Sequence, residues 1–302
     1  MQALRSVTAP IGAVATAVRR PETYAGHARE ATSTLITAAL WPLGMRDPGP
    51  VSFPPATEPS PVAAPVLLLH GFGANKSNWL LVRRAIEQAG FRRVHAVNYN
   101  PLAADIPELA QRVAERVEAL RRHYAVDHVH LVGHSLGGVI GRYAVSVDDT
   151  PGVATCVTIA SPHGGVRLAR HGSPLARLSP LAAGLQLRPD SDVMRRLRQA
   201  AASGPGDTRY VAYYSNLDLI VAARRAMIVE PELEATNVLV KDHGHLSIML
   251  SRRLATSVVA QLGAVEGLAG YGAPVRQLPV TRGGDATVER APAPAPGRAA
   301  RR

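Results

Sequence analysis

A mostly parallel β-sheet covered by helices on both faces is the architecture this 302-residue sequence predicts, an α/β protein. Two observations carry that expectation. Short, continuously apolar runs alternate strictly with longer segments of helical period, and 46% of the residues are apolar, enough for a sizeable core. A third observation narrows the class: the single cysteine, Cys156, cannot close an internal disulfide and excludes a zinc site needing several thiolates.

Apart from its terminal histidine, Val66 to His70 is continuously apolar, as expected of a strand covered on both faces. A helix follows with Trp79, Leu80, Val82, Ala85 and Ile86 on its apolar side, and Gly90 stops it. Val94 to Tyr99 is the second strand. Asp105 and Glu108 then have the spacing of an N-cap and its capping-box partner, and Leu109, Val113, Val117 and Leu120 recur every three or four residues, so a long amphipathic helix is expected. His128 to Val132 is a strand, Leu136 to Val145 a helix and Val153 to Ala160 another strand. Tyr210 to Tyr214 and Asn237 to Val240 complete the sheet, and a last helix runs from Leu246 to about Leu262.

Outside this core the composition changes. Residues 1–60 are expected to form an N-terminal helical segment and a connector, because Pro48 to Pro65 holds seven prolines in eighteen positions. Residues 61–271 form the domain. Residues 272–302, with Gly283-Gly284, an alternating Ala-Pro run and six arginines, read as a disordered tail. Inside the domain, residues 163–207 lack a strand signal and carry only short helical pieces, which suggests a helical lid insertion.

The formal charge of +11 favours anionic surfaces, and an anionic membrane surface is the partner it suggests. Only 4% of the residues are aromatic, so there is little for nucleic acid to stack on, and no nucleic-acid partner is expected. No run of 18 apolar residues exists to cross a membrane. Ile11 to Val18 ends in Arg19 and Arg20 rather than a cleavage site, so secretion is less expected than a cytoplasmic or peripherally membrane-associated location. No Walker or dinucleotide glycine pattern appears and no histidine–carboxylate cluster has metal spacing, so neither cofactor nor metal ion is expected.

The strongest chemical signal is Gly133-His134-Ser135-Leu136-Gly137, placed between a strand and a helix. That is the setting of a nucleophile elbow, where a sharp turn exposes the serine oxygen at the carboxyl end of the sheet and flanking glycines prevent backbone collisions. His134, at the variable position, is expected to pack beneath the turn.

With Leu67-Leu68-Leu69-His70-Gly71-Phe72-Gly73 before it and Ser161-Pro162-His163-Gly164-Gly165 after it, the chain resembles an α/β-hydrolase, and within that family it is similar to bacterial triacylglycerol lipases and esterases. The likeness spans roughly residues 62 to 265. It implies a serine hydrolase acting on esters, whose nucleophile Ser135 needs a base and an orienting carboxylate in the chain order serine, acid, histidine. The base is His245, before the last helix, with His243 as the alternative. The acid is Asp218, just past the strand ending at Tyr214, with Asp242 as the alternative. The backbone N–H groups of Leu136 and, by resemblance, Phe72 would form the oxyanion hole. Within the insertion, Leu181, Leu185 and Met194 are candidates for an acyl-chain wall. Cys156 reads as a small core residue. An acyltransferase using the same three residues, or a non-catalytic binding module on this fold, are the rival readings, and oligomeric state is left open.

Overall fold

A computed structural model describes residues 21–45, 62–101, 104–166 and 182–268. Residues 1–20, most of the proline-rich connector, Leu181 and the entire tail from 272 lie outside the described residues, so the expectations placed on them go no further here.

Among the described residues six strands form one sheet: β1 (Val66–Leu69), β2 (Val94–Val97), β3 (Val129–His134), β4 (Val153–Ile159), β5 (Arg209–Tyr214) and β6 (Thr236–Leu239). Their order is β2-β1-β3-β4-β5-β6 and every pairing is parallel. The chain steps from β1 outward to β2 and returns on the other side of β1 as β3. This reversal opens a crevice beyond the carboxyl ends of β1 and β3, the place where open α/β sheets bind ligands.

Side chains alternate across the sheet because a strand has period two. Leu67, Leu69, Leu131, Cys156 and Ala212 enter one core cluster; Val66, Leu68, Val132, Val157 and Val211 enter the other. The first cluster is covered by α3 (Ile106–Tyr124) and α4 (Leu136–Ser146), the second by α2 (Leu80–Gln88) and α8 (Arg252–Val265). α3 starts where expected: the Asp105 carboxylate accepts the Glu108 N–H at 2.9 Å, leaving the Glu108 side chain to pair with Arg112 one turn on.

One expectation needs correction. The last helix does not begin at Leu246. A 3-10 turn, Ser247–Leu250, comes first, and Ser251 in extended conformation (ψ 116°) breaks it and caps α8 by accepting the Leu254 N–H. Part of the insertion lies within the described residues. After α5 (Ala182–Gln186), its helix α6 (Asp192–Ala200) buries Val193, Met194 and Leu197 in the core with Val139 and Ile140 of α4, so this part of the insertion is a packed layer of the domain. Before the sheet, α1 (Pro21–Gly44) packs on the domain as a surface helix, and among the described residues no helix is long and apolar enough to cross a membrane. The short α7 (Ala223–Ala226) follows β5.

Candidate active site

Ser135 stands between β3 and α4 with φ 52° and ψ −119°, in a region of backbone space that costs a non-glycine residue on the order of 1–3 kcal/mol. Packing on every side holds it there. Its N–H donates to the Ile159 carbonyl at 2.8 Å. A Cβ on Gly133 would lie 2.5 Å from the Gly138 backbone nitrogen, and one on Gly137 would lie 2.2 Å from the Leu69 carbonyl oxygen. Only glycine lets strand, turn and helix approach this closely, which is why the serine is bracketed by them.

Chain segments distant in sequence meet the serine hydroxyl. The loop between β6 and α8 brings His245, whose Nε2 lies 2.9 Å from Ser135 Oγ. The loop after β5 brings Asp218, whose Oδ2 lies 2.8 Å from His245 Nδ1. A carboxylate can only accept, so Nδ1 carries the proton and Nε2 presents its lone pair to the serine hydroxyl. The other carboxylate oxygen accepts the N–H groups of Ile220 and Val221 at 2.9 and 2.8 Å, so the acid is clamped by its own loop. Both partners are almost wholly buried, which strengthens the pairing.

The alternatives are placed elsewhere. The His243 ring bonds the Lys241 carbonyl at 2.7 Å and borders a cavity of about 480 Å³ beneath α1. Asp242 turns a corner at φ 64° and donates its N–H to Asn216. Leu136 is the first residue of α4, where N–H groups have no partner within the helix. Phe72 lies in the turn after β1; a Cβ on the preceding Gly71 would come 3.0 Å from Ser135 Cβ, so this loop runs against the serine.

A second ring of histidines supports the first. His134 is fully buried; its Nε2 donates to the His245 carbonyl at 3.1 Å, and burial pushes its pKa down to about 3. It thus positions His245 from below, a role beyond simple packing. His70 donates from Nδ1 to the Gly71 carbonyl at 2.8 Å, accepts the Tyr99 N–H at Nε2 and stacks on the Tyr99 ring, whose hydroxyl donates to the His70 carbonyl. Burial lowers its pKa too, so it remains a neutral brace for the Phe72 loop.

Residues of α1 escaped sequence reasoning entirely. Glu30 accepts the N–H groups of Leu246 and Ser247, the two residues after His245, at 2.7 and 2.8 Å, and Arg29 donates to the Asp242 carbonyl. Trp41 donates to the Gly73 carbonyl at 3.2 Å, in the turn that carries Phe72. One helix therefore ties down two loops beside Ser135, the one carrying His245 and the one carrying Phe72. No local pattern announces this, since Glu30 reaches across more than 200 residues.

Of the residues suggested for an acyl-chain wall, Leu185 is exposed on α5, Leu181 is outside the described residues, and Met194 is fully buried in the core cluster. Among the described residues, Phe72, next to the serine loop, and Leu219 and Ile220, next to Asp218, are exposed apolar side chains. Cys156 is buried and its thiol is pushed up to about 12, consistent with a core residue. The sequence shows no histidine–carboxylate cluster with metal spacing, but in the fold His128, His130 and Glu266, far apart along the chain, converge at the opposite end of β3.

Known proteins agree with the architecture. A family model described as the alpha/beta hydrolase fold matches residues 64–206. The dihydrolipoyllysine-residue acetyltransferase component of an acetoin cleaving system from Pseudomonas putida is 37% identical over 81 residues, 25% of this chain and 21% of that protein. Lipase 1 of Psychrobacter immobilis is 33% identical over 82 residues, 25% of each. The chain thus matches a quarter or less of these curated relatives. Among solved structures, the mature lipase BlEst2 of Bacillus licheniformis superposes with a TM-score of 0.56 at 19% identity, covering 72% of this chain and 99% of that one. The chain has the α/β-hydrolase fold, and the proteins it resembles include lipases.

Proposed function

We propose that the protein is a serine hydrolase of carboxylic esters with apolar acyl chains. The observation that carries this reading is the unbroken hydrogen-bonded chain Ser135 Oγ, His245, Asp218, with links of 2.9 and 2.8 Å. In the reaction His245 Nε2 takes the Ser135 proton as Oγ attacks the ester carbonyl carbon. Asp218 holds the ring in the tautomer that can accept it and stabilises the imidazolium. The resulting oxyanion points at the Leu136 and Phe72 N–H groups, each donor contributing about 3 kcal/mol to the transition state. The tetrahedral adduct collapses, the ester C–O bond breaks, and the leaving alkoxide takes the proton from His245. Water, deprotonated by the same histidine, then attacks the acyl-serine, and Oγ recovers its proton as the carboxylic acid departs.

The apolar preference is supported by Phe72, Leu219 and Ile220, which are exposed on the loops that carry the oxyanion donor and the acid. A peripheral position on anionic lipid fits the +11 charge.

A fluorophosphonate probe tests the mechanism. Labelling is expected with the intact chain, absent in Ser135→Ala, strongly reduced in His245→Ala and retained in His243→Ala; loss in His243→Ala with retention in His245→Ala would move the base and overturn the assignment. Turnover of p-nitrophenyl esters is expected to rise from acetate toward medium chains, and a steady fall would remove the apolar-acyl half of the reading.

A further inference from the structure

We propose that His128, His130 and Glu266 form a binding site for a divalent transition ion of the zinc class, at the amino-terminal end of the sheet and separate from Ser135. The two histidines flank Val129 at the start of β3, so their side chains fall on the same face of the strand. Ser135 follows the other end of that strand, five residues and about 17 Å beyond His130. Glu266 sits just after the last turn of α8, which covers this face of the sheet. Its Oε1 accepts the Nε2–H of His128 at 2.7 Å and that of His130 at 3.0 Å, and the donor atoms of all three residues lie within 4.8 Å of one another.

A tetrahedral zinc ion with bonds of about 2.0–2.1 Å holds its ligand atoms roughly 3.3 Å apart. Opening the two short contacts by a few tenths of an ångström reaches that spacing, and the exposed His128 side chain has room to make the adjustment. Two imidazoles and one carboxylate suit zinc or its neighbours rather than calcium or magnesium, which prefer oxygen ligands throughout. The open side at His128, 38% exposed, leaves a fourth position for water and a route of entry.

The support around the ligands is built as well. His130 Nδ1 lies 3.1 Å from the buried Thr155 hydroxyl, and the register shift between β3 and β4 is what puts Thr155 opposite His130. Phe91 packs its ring against the same imidazole at 75°. Ion binding needs only a tautomer change: each Nε2 gives up its proton while Nδ1 gains one, and His130 Nδ1–H then donates to Thr155, which can act as donor or acceptor. The bound ion would cross-link the end of α8 to the start of β3.

Titration of chelator-stripped full-length protein with Zn²⁺, followed by calorimetry, tests the site, with Co²⁺ as a visible reporter. One equivalent is expected to bind the intact chain, and hundredfold excess over Kd should raise Tm by about 5–10 °C. Binding should be lost in His128→Ala and in Glu266→Gln, and weakened about tenfold in Thr155→Val. His128 is exposed, so that variant folds even if a change at the partly buried Glu266 does not. The Co²⁺ complex of the intact chain should give the intense absorption of a low-coordinate site. Absence of stoichiometric binding, or binding that survives both His128→Ala and Glu266→Gln, overturns the proposal and leaves the cluster a hydrogen-bonded clasp.

Discussion

The strained serine is affordable only because its neighbours have no side chains. In Gly133→Ala the added carbon would meet backbone 2.5 Å away, not the yielding tip of a side chain, so strand or helix must move. We expect that variant to lose about 2 kcal/mol or more of stability, read by urea unfolding, and to lose fluorophosphonate labelling with it. Asp218→Asn is a subtler case. The amide oxygen can still accept the Ile220 and Val221 N–H groups, so the loop should keep its shape. The amide NH₂ now faces His245 Nδ1 as a donor, which forces the ring into the wrong tautomer. Hydrolysis of p-nitrophenyl esters is expected to fall on the order of 10⁴-fold while Tm barely moves.

At the scale of elements, α1 behaves as a strap across the loops carrying His245 and Phe72. The Glu30 carboxylate acts on Leu246 and Ser247 as an N-cap supplied from another part of the chain, and a charged acceptor for two amides is worth about 1.5–3 kcal/mol. Glu30→Ala is expected to lower kcat about tenfold with KM nearly unchanged, because the substrate still binds while His245 drifts from Ser135. Glu30→Gln, which keeps an acceptor, should recover part of that loss. Equal activity in all three proteins would mean that the strap does not position the histidine. α6 teaches the converse. Its Val193, Met194 and Leu197 have the three- and four-residue spacing of any amphipathic helix, and the pattern does not say whether the apolar stripe faces substrate or core. Packing against α4 decides for core.

Across the whole molecule, buried neutral histidines link stability to pH. The His134 pKa falls from 6.5 to about 3, with desolvation the main cause and the neighbouring His245 adding to it, while the His245 carbonyl and Asp218 act in the opposite direction. His70 and His163 are lowered by burial as well. The unfolded chain therefore binds protons below pH 6.5 that the folded chain refuses, so the stability these groups contribute is complete above pH 6.5 and is lost as the pH falls toward 3. His134 alone should remove about 2 kcal/mol between pH 7.5 and pH 5. Urea unfolding at the two pH values measures this, and a His134→Gln variant should show a shallower loss; an unchanged slope would mean that His134 does not control it.

The alternation of strand and helix, the elbow around Ser135 and the N-cap at Asp105 were legible in the sequence because each depends on residues within a few positions of one another. Hydrophobic period and glycine placement are local properties, and they specify the order of the elements and the rim on which the serine stands. What only the folded chain decided involves long separations: that His245 and not His243 faces Ser135, that Glu30 braces the loop more than 200 residues away, and that Glu266 closes on His128 and His130. Strand order and helix packing bring such groups together, and no spacing along the chain encodes the distance between them.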